Sequence, residues 1–140
     1  MKESEKYYEI IKVAKFSDER GYLYCLEKGE GMPFDFKRCF WISNVPSGQK
    51  RGSHAHRTCG ELIIAAAGSF KVDVTDGTNS VTIDLSAPDT ALYIPPYTWC
   101  ELYDFDDKAL CLCLASQNYI SEGYINSFED FLKIKKGELK

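Results

Sequence analysis

A chain of 140 residues with 44% hydrophobic and 27% charged residues has the make-up of one ordinary globular domain. Its net charge of −4 gives no general field for nucleic acid, and no apolar run approaches the roughly 20 residues of a membrane span. Six cysteines without a C-x-x-C pair, and a charged opening (Met1–Tyr7) with no apolar segment behind it, lead us to expect free thiols and a cytoplasmic location.

Tyr8–Lys15 is short and apolar-rich and reads as a first strand. Phe16–Gly21 reads as a turn, Tyr22–Glu27 as a second strand and Lys28–Pro33 as a glycine-rich loop. Phe36–Val45 carries aromatic and β-branched residues suited to a strand. Pro46–Gln49 is a turn signal. Short strands then recur at Ser53–Thr58, Glu61–Ala67, Ser69–Thr75, Val81–Leu85, Ala91–Ile94 and Ala109–Ala115. Asp76-Gly77 is the strongest hairpin mark between them. Only Ser127–Ile134 reads as a helix, with Ser127 as its cap and Asp130 three residues on. Many short strands at close spacing argue for an all-β sandwich or barrel with a short C-terminal helix.

His54 and His56 are the only histidines. One residue apart on a strand, they face the same side. Lys37, Arg38, Lys50, Arg51 and Arg57 gather near them in sequence, a basic cluster on an acidic chain that suits a small anion such as a phosphate. Imidazoles with an unperturbed pKa of ~6.5 can both take and give a proton near neutrality. Guanidinium groups match phosphate oxygens in pairs. Arg57, on the opposite face of an extended strand from His56, is expected to be structural or solvent-facing. Cys111 and Cys113 alternate in an apolar run and read as small buried hydrophobes. Aromatic residues such as Tyr93, Tyr97, Trp99 and Tyr103 are core residues more often than ligand platforms.

The spacing is specific: Gly48, five residues, His54-x-His56, four residues, Glu61, six residues, Gly68. This pattern resembles the first motif of the cupin superfamily. The resemblance implies a double-stranded β-helix (jelly-roll) barrel spanning residues 1–140 as a single domain. In metal-binding cupins such residues are ligands, so a metal-bound form would use His54, His56 and Glu61. The second motif would fall near Ile94–Leu102, where there is no histidine.

A narrower resemblance covers nearly the whole chain. Pro33-Phe34, Lys37-Arg38, the run Arg51-Gly52-x-His54-Ala55-His56-Arg57, Asp76-Gly77, Leu92–Pro96 with Trp99, Leu114–Ser116 and Tyr124-Ile125 resemble the dTDP-sugar 3,4-ketoisomerases. The resemblance implies an enzyme that moves the ketone of a dTDP-linked 4-keto-6-deoxyhexose from C4 to C3 through an enediol, for unusual deoxy sugars of surface glycans. It implies no cofactor, and a homodimer that exchanges N-terminal strands within residues 1–30, Tyr8–Lys15 being the swapped element. It assigns His56 as the carbon base with His54 assisting, and Arg51 and Arg38 to the diphosphate. Glu61, Tyr93, Trp99 and Arg20 would line the sugar or base end. The chain departs from the family pattern at Gly60-Glu61, Cys100 and Gln117. Three other functions use the same features: a metal-dependent, dioxygenase-like cupin, a dTDP-sugar 3,5-epimerase, and a non-catalytic nucleotide-sugar-binding cupin.

Overall fold

The computed structural model describes residues 6–140; Met1–Glu5, the start of the charged opening and of the 1–30 segment, lie outside the described residues. The strands are β1 (Glu9–Lys12), β2 (Ala14–Asp18), β3 (Gly21–Cys25), β4 (Arg38–Ser43), β5 (Arg51–His56), β6 (Glu61–Ala67), β7 (Phe70–Thr75), β8 (Ser80–Leu85), β9 (Thr90–Ile94), β10 (Trp99–Tyr103), β11 (Leu110–Ala115) and β12 (Tyr124–Ile125). One helix, α1 (Phe128–Lys135), follows them. Two five-stranded antiparallel sheets form, in the orders β1-β9-β6-β11-β4 and β12-β5-β10-β7-β8. Their inner faces enclose the main core, as in an aligned sandwich or jelly roll.

Strand alternation decides what faces inward. On β7, Phe70, Val72 and Val74 are buried while Lys71 is exposed. They meet Ile63, Ala65, Leu85, Leu92, Ile94 and Cys111 in one cluster. β6 is buried on both faces. Its Leu62 and Ile64 pack outward with Ile11, Val13 and Leu114 under Tyr24, Leu26, Met32 and Phe34. That second layer explains why ELIIAAA is a continuous apolar run rather than an alternating one.

Outside the second sheet, α1 closes a third cluster of Ala55, Trp99, Ile125 and Phe131. Ser127 caps the helix, its side-chain oxygen accepting from the Asp130 amide at 3.2 Å, as the sequence signal predicts.

Three elements differ from the sequence reading. Tyr8–Lys15 breaks at Val13: β1 pairs with β9 of its own chain, and the rest enters β2. The expected turn over Phe16–Gly21 shrinks to Glu19-Arg20, because Asp18 pairs directly with Gly21. β10 and β12 are further strands. β10 begins three residues after Pro96, close behind a break that hides so short a run, and β12 is only two residues long. Among the described residues the β2–β3 hairpin pairs only with itself, and Phe16, Tyr22 and Leu23 on it are 62%, 67% and 59% exposed.

Candidate active site

A bulge in β5 assembles the site. Cys100 pairs with His54, but Glu101 pairs with Gly52 and Leu102 with Arg51, so Ser53 is an extra residue. Gly52 has φ +81 and Ser53 φ +60. Without the bulge, Arg51 and His54, three residues apart, would face opposite sides. With it, Arg51 joins the inward Leu102 and His54 joins the inward Cys100. Position 52 must be glycine. A Cβ there would lie 3.1 Å from the Cys100 carbonyl oxygen and 3.2 Å from Leu102 Cδ1, at a backbone angle that other residues rarely adopt. The glycine of the R-G-x-H run therefore sets the register that brings Arg51 inward.

His54, His56 and Glu61 come together. Glu61 starts β6 and points inward, with its Oε1 2.8 Å from His56 Nε2 and 3.9 Å from His54 Nε2. The imidazole ring centres are 4.9 Å apart. Burial pushes the Glu61 carboxyl up, but the close approach of His54 and the hydrogen bond with His56 outweigh it and bring it to about 2. The Glu61 carboxylate is thus ionised in the pocket wall. His56 is 5% exposed and held by Glu61, whereas the His54 side chain is 20% exposed and lines the cavity. His54 is thus the imidazole more open to the cavity, whereas the resemblance implies His56 as the carbon base.

The same three side chains could hold a metal ion. Their donor atoms lie within 4.8 Å of one another, yet Glu61 and His56 share a hydrogen bond, which a metal would have to break.

The cavity holds about 390 Å³, within the usual range of about 300–1,000 Å³ for small-molecule sites. Arg38, Phe40 and Ile42 of β4, Lys50 and Arg51, Leu102, Tyr119 and Tyr124 complete its wall. Arg38 Nε is a buried polar atom that has no partner among the described residues. A ligand oxygen would satisfy it. Lys50 is held at the rim by Glu101 at 3.1 Å. Arg57 does not enter the cavity. It donates to the Tyr124 and Glu122 carbonyl oxygens at 2.9 and 3.2 Å and braces β12 against β5.

Three expected site residues lie elsewhere. Trp99 precedes the inward Cys100, so alternation turns it outward against Phe128 and Phe131, with ring centres at 5.3 and 5.8 Å. Tyr93 likewise faces outward between the inward Leu92 and Ile94, and its ring centre is 5.9 Å from that of Phe34. A Cβ on Gly60 would be 3.0 Å from the Tyr93 ring, which accounts for the glycine there. Arg20 sits at the tip of the β2–β3 hairpin, 84% exposed and paired with Asp18.

Sequence reading missed Tyr119, Tyr124 and Phe40 as site residues; Cys100, which stands where the family pattern has a residue near the sugar, does line the cavity. Parity with the inward Arg38 gives Phe40. Tyr124 had no signal beyond its place in the family pattern, because its position depends on β12 pairing with β5, Tyr124 opposite His56. Burial, with a smaller push from the Glu61 charge, raises the Cys100 thiol well above its usual range, so it is a neutral wall group beside His54.

The two-sheet barrel, with an acid–base pair and guanidinium groups in its mouth, defines a cupin of the acid–base type. The FdtA model (WxcM-like, C-terminal) matches residues 6–136. The chain belongs to that family. It is 32% identical over 124 residues, 89% of each chain, to the TDP-4-oxo-6-deoxy-alpha-D-glucose-3,4-oxoisomerase of Aneurinibacillus thermoaerophilus. Among solved structures it is similar to a point mutant of the 3,4-ketoisomerase QdtA from Thermoanaerobacterium thermosaccharolyticum in complex with TDP-4-keto-6-deoxyglucose. The TM-score there is 0.90 at 30% identity, with 94% of this chain and 95% of that one covered. It is also similar to the WlaRB TDP-quinovose 3,4-ketoisomerase from Campylobacter jejuni, with a TM-score of 0.86, 34% identity, and 91% and 98% covered.

Proposed function

We propose that this chain is a 3,4-ketoisomerase acting on a TDP-linked 4-keto-6-deoxyhexose. The observation that carries the reading is His54, an inward imidazole backed by the ionised Glu61 carboxylate and the His56 bonded to it, in one cavity with Arg38 and Arg51. The guanidinium groups match a diphosphate. With the diphosphate held there, the sugar lies toward His54.

The C3 proton of a 4-keto sugar is acidic because the neighbouring carbonyl accepts the charge. His54 removes it, and an enediol forms across C3 and C4. The same imidazole returns the proton to C4, and the carbonyl ends at C3. His56 and Glu61 keep the wall behind His54 fixed and negatively balanced while the imidazolium exists. Such chemistry supplies a 3-keto sugar, which a nitrogen-transferring enzyme can use next, toward unusual sugars of surface glycans.

A homodimer belongs to the same reading. The β2–β3 hairpin has exposed Phe16, Tyr22 and Leu23 and pairs with no other strand among the described residues, so a second copy is the natural surface for it. Exchange would then involve this hairpin more than β1, which completes the sheet of its own chain. Free thiols at all six cysteines agree with a reducing compartment such as the cytoplasm.

The test is incubation with TDP-4-keto-6-deoxyglucose in D2O, followed by NMR. The carbonyl should move from C4 to C3 with deuterium entering at carbon, and His54→Asn should slow this on the order of 10²-fold or more. An unmoved carbonyl, or a full rate in His54→Asn, would sink the reading.

A further inference from the structure

Isomerisation moves two protons, one between carbons and one between oxygens, and His54 accounts only for the first. The oxygen proton needs a group on the cavity wall that can both donate and accept. His56 is 5% exposed and engaged with Glu61 at 2.8 Å. Lys50 is engaged with Glu101. Guanidinium groups do not release protons. Tyr119 lines the cavity but is 66% exposed. Tyr124 remains. β12 presents it inward opposite His56, and Arg57 fixes its backbone. Its ring centre is 5.0 Å from His54 and 4.4 Å from His56.

We infer that Tyr124 is the second acid–base residue of the site, its phenol carrying the proton between the two vicinal sugar oxygens while His54 carries the one on carbon. This rests on the ketoisomerase reading above. In the first half, His54 takes the C3 proton. The C3–H electron pair becomes the C3=C4 bond, the carbonyl π pair moves to O4, and the Tyr124 proton follows it there. The products are a neutral enediol, an imidazolium and a tyrosinate. In the second half, tyrosinate takes the O3 proton and the O3–H pair becomes the C3 carbonyl. The C3=C4 pair then takes the His54 proton at C4. No electrons leave the sugar, and both side chains regain their starting forms.

The surroundings suit this cycle. Facing Tyr124 are Arg38 from β4, His54 and His56 from β5, Glu61 from β6 and Tyr119 from the segment before it. Burial raises the Tyr124 phenol and keeps it protonated at rest, while the Arg38 guanidinium pulls the other way and favours the transient tyrosinate. Arg38 therefore has two duties, one toward the ligand and one toward Tyr124.

The experiment compares wild type, Tyr124→Phe, Tyr119→Phe and a protein with 3,5-difluorotyrosine at position 124. Tyr124→Phe should lose kcat on the order of 10²-fold or more, with KM and TDP affinity within about twofold. Difluorotyrosine keeps the shape but acidifies the phenol, so the alkaline limb of kcat should move to lower pH. A wild-type kcat in Tyr124→Phe, an unmoved limb with difluorotyrosine, or a loss confined to Tyr119→Phe would overturn the assignment. Should Tyr124→Phe fail to fold, the difluorotyrosine protein decides alone. If wild type itself makes no 3-keto product, it is the ketoisomerase reading that has failed.

Discussion

Acid should separate the wild-type protein from Glu61→Gln. The Glu61 carboxyl is at about 2 in the folded chain against an ordinary 4.5, because the nearby His54 and the hydrogen-bonded His56 override its burial. A folded value below the unfolded one means that stability is fully present above about pH 4.5 and is lost as the pH falls toward 2. The full interval of about two and a half pK units is worth about 3 kcal/mol, of which about 2 kcal/mol is gone by about pH 3. Glutamine has no such term, and the other carboxylates are common to both proteins. Urea unfolding at about pH 6 and about pH 3 should therefore show a fall in unfolding free energy about 2 kcal/mol larger in wild type than in Glu61→Gln. Parallel falls in the two proteins would mean that Glu61 is not held ionised by the histidines.

Other perturbations address the bulge, the helix face, the cation question and the hairpin. Gly52→Ala forces a side chain into φ +81 and against the Cys100 carbonyl, so it should cost about 1–2 kcal/mol or more. It should also weaken TDP binding in calorimetry by displacing Arg51; unchanged affinity would argue against the bulge as the device that positions it. Trp99→Ala should lower stability by about 3–5 kcal/mol, since Trp99 is 6% exposed against α1. KM should stay unchanged where the variant is still folded, and a raised KM would return Trp99 to the ligand site. Treatment with a chelator should leave the isomerisation rate intact; loss of activity restored by a divalent ion would reinstate His54, His56 and Glu61 as ligands. Phe16→Asp with Leu23→Asp should shift the protein from dimer to monomer in light scattering. An unchanged mass would remove the hairpin from the interface.

The barrel was legible because its signals are local. Alternation on β7, the Asp76-Gly77 turn and the Ser127 cap each follow from a few neighbouring residues. The histidine pair was legible for the same reason, as a matter of period-two geometry. The bulge was not. Nothing in Arg51–His56 read alone says that Ser53 is unpaired, because that depends on the register against β10. Tyr93 and Trp99 were assigned to the ligand by resemblance, although alternation next to the inward Ile94 and Cys100 turns both outward. Tyr124 could not be found from the chain, since a two-residue strand 68 positions beyond His56 has no periodicity to read.

Burying the Glu61 carboxylate costs several kcal/mol, and its contact with His56 is weak evidence for stability in itself. Its place here follows from what it does to His54. The two histidines share a face, so by symmetry either could meet the ligand. Glu61, at the inward first position of β6, breaks that symmetry by approaching one ring at 2.8 Å and the other at 3.9 Å. The closer ring is held in the wall and the farther one is left facing the cavity. A glutamine at position 61 could still hold His56 by a hydrogen bond. It would not supply the negative charge that balances an imidazolium on His54. Glu61→Gln should therefore lower kcat more than it raises KM, because the neutral amide keeps the hydrogen bond to His56 but not the charge opposite the imidazolium that forms on His54 during the reaction. A kcat equal to that of wild type would assign Glu61 a purely structural part.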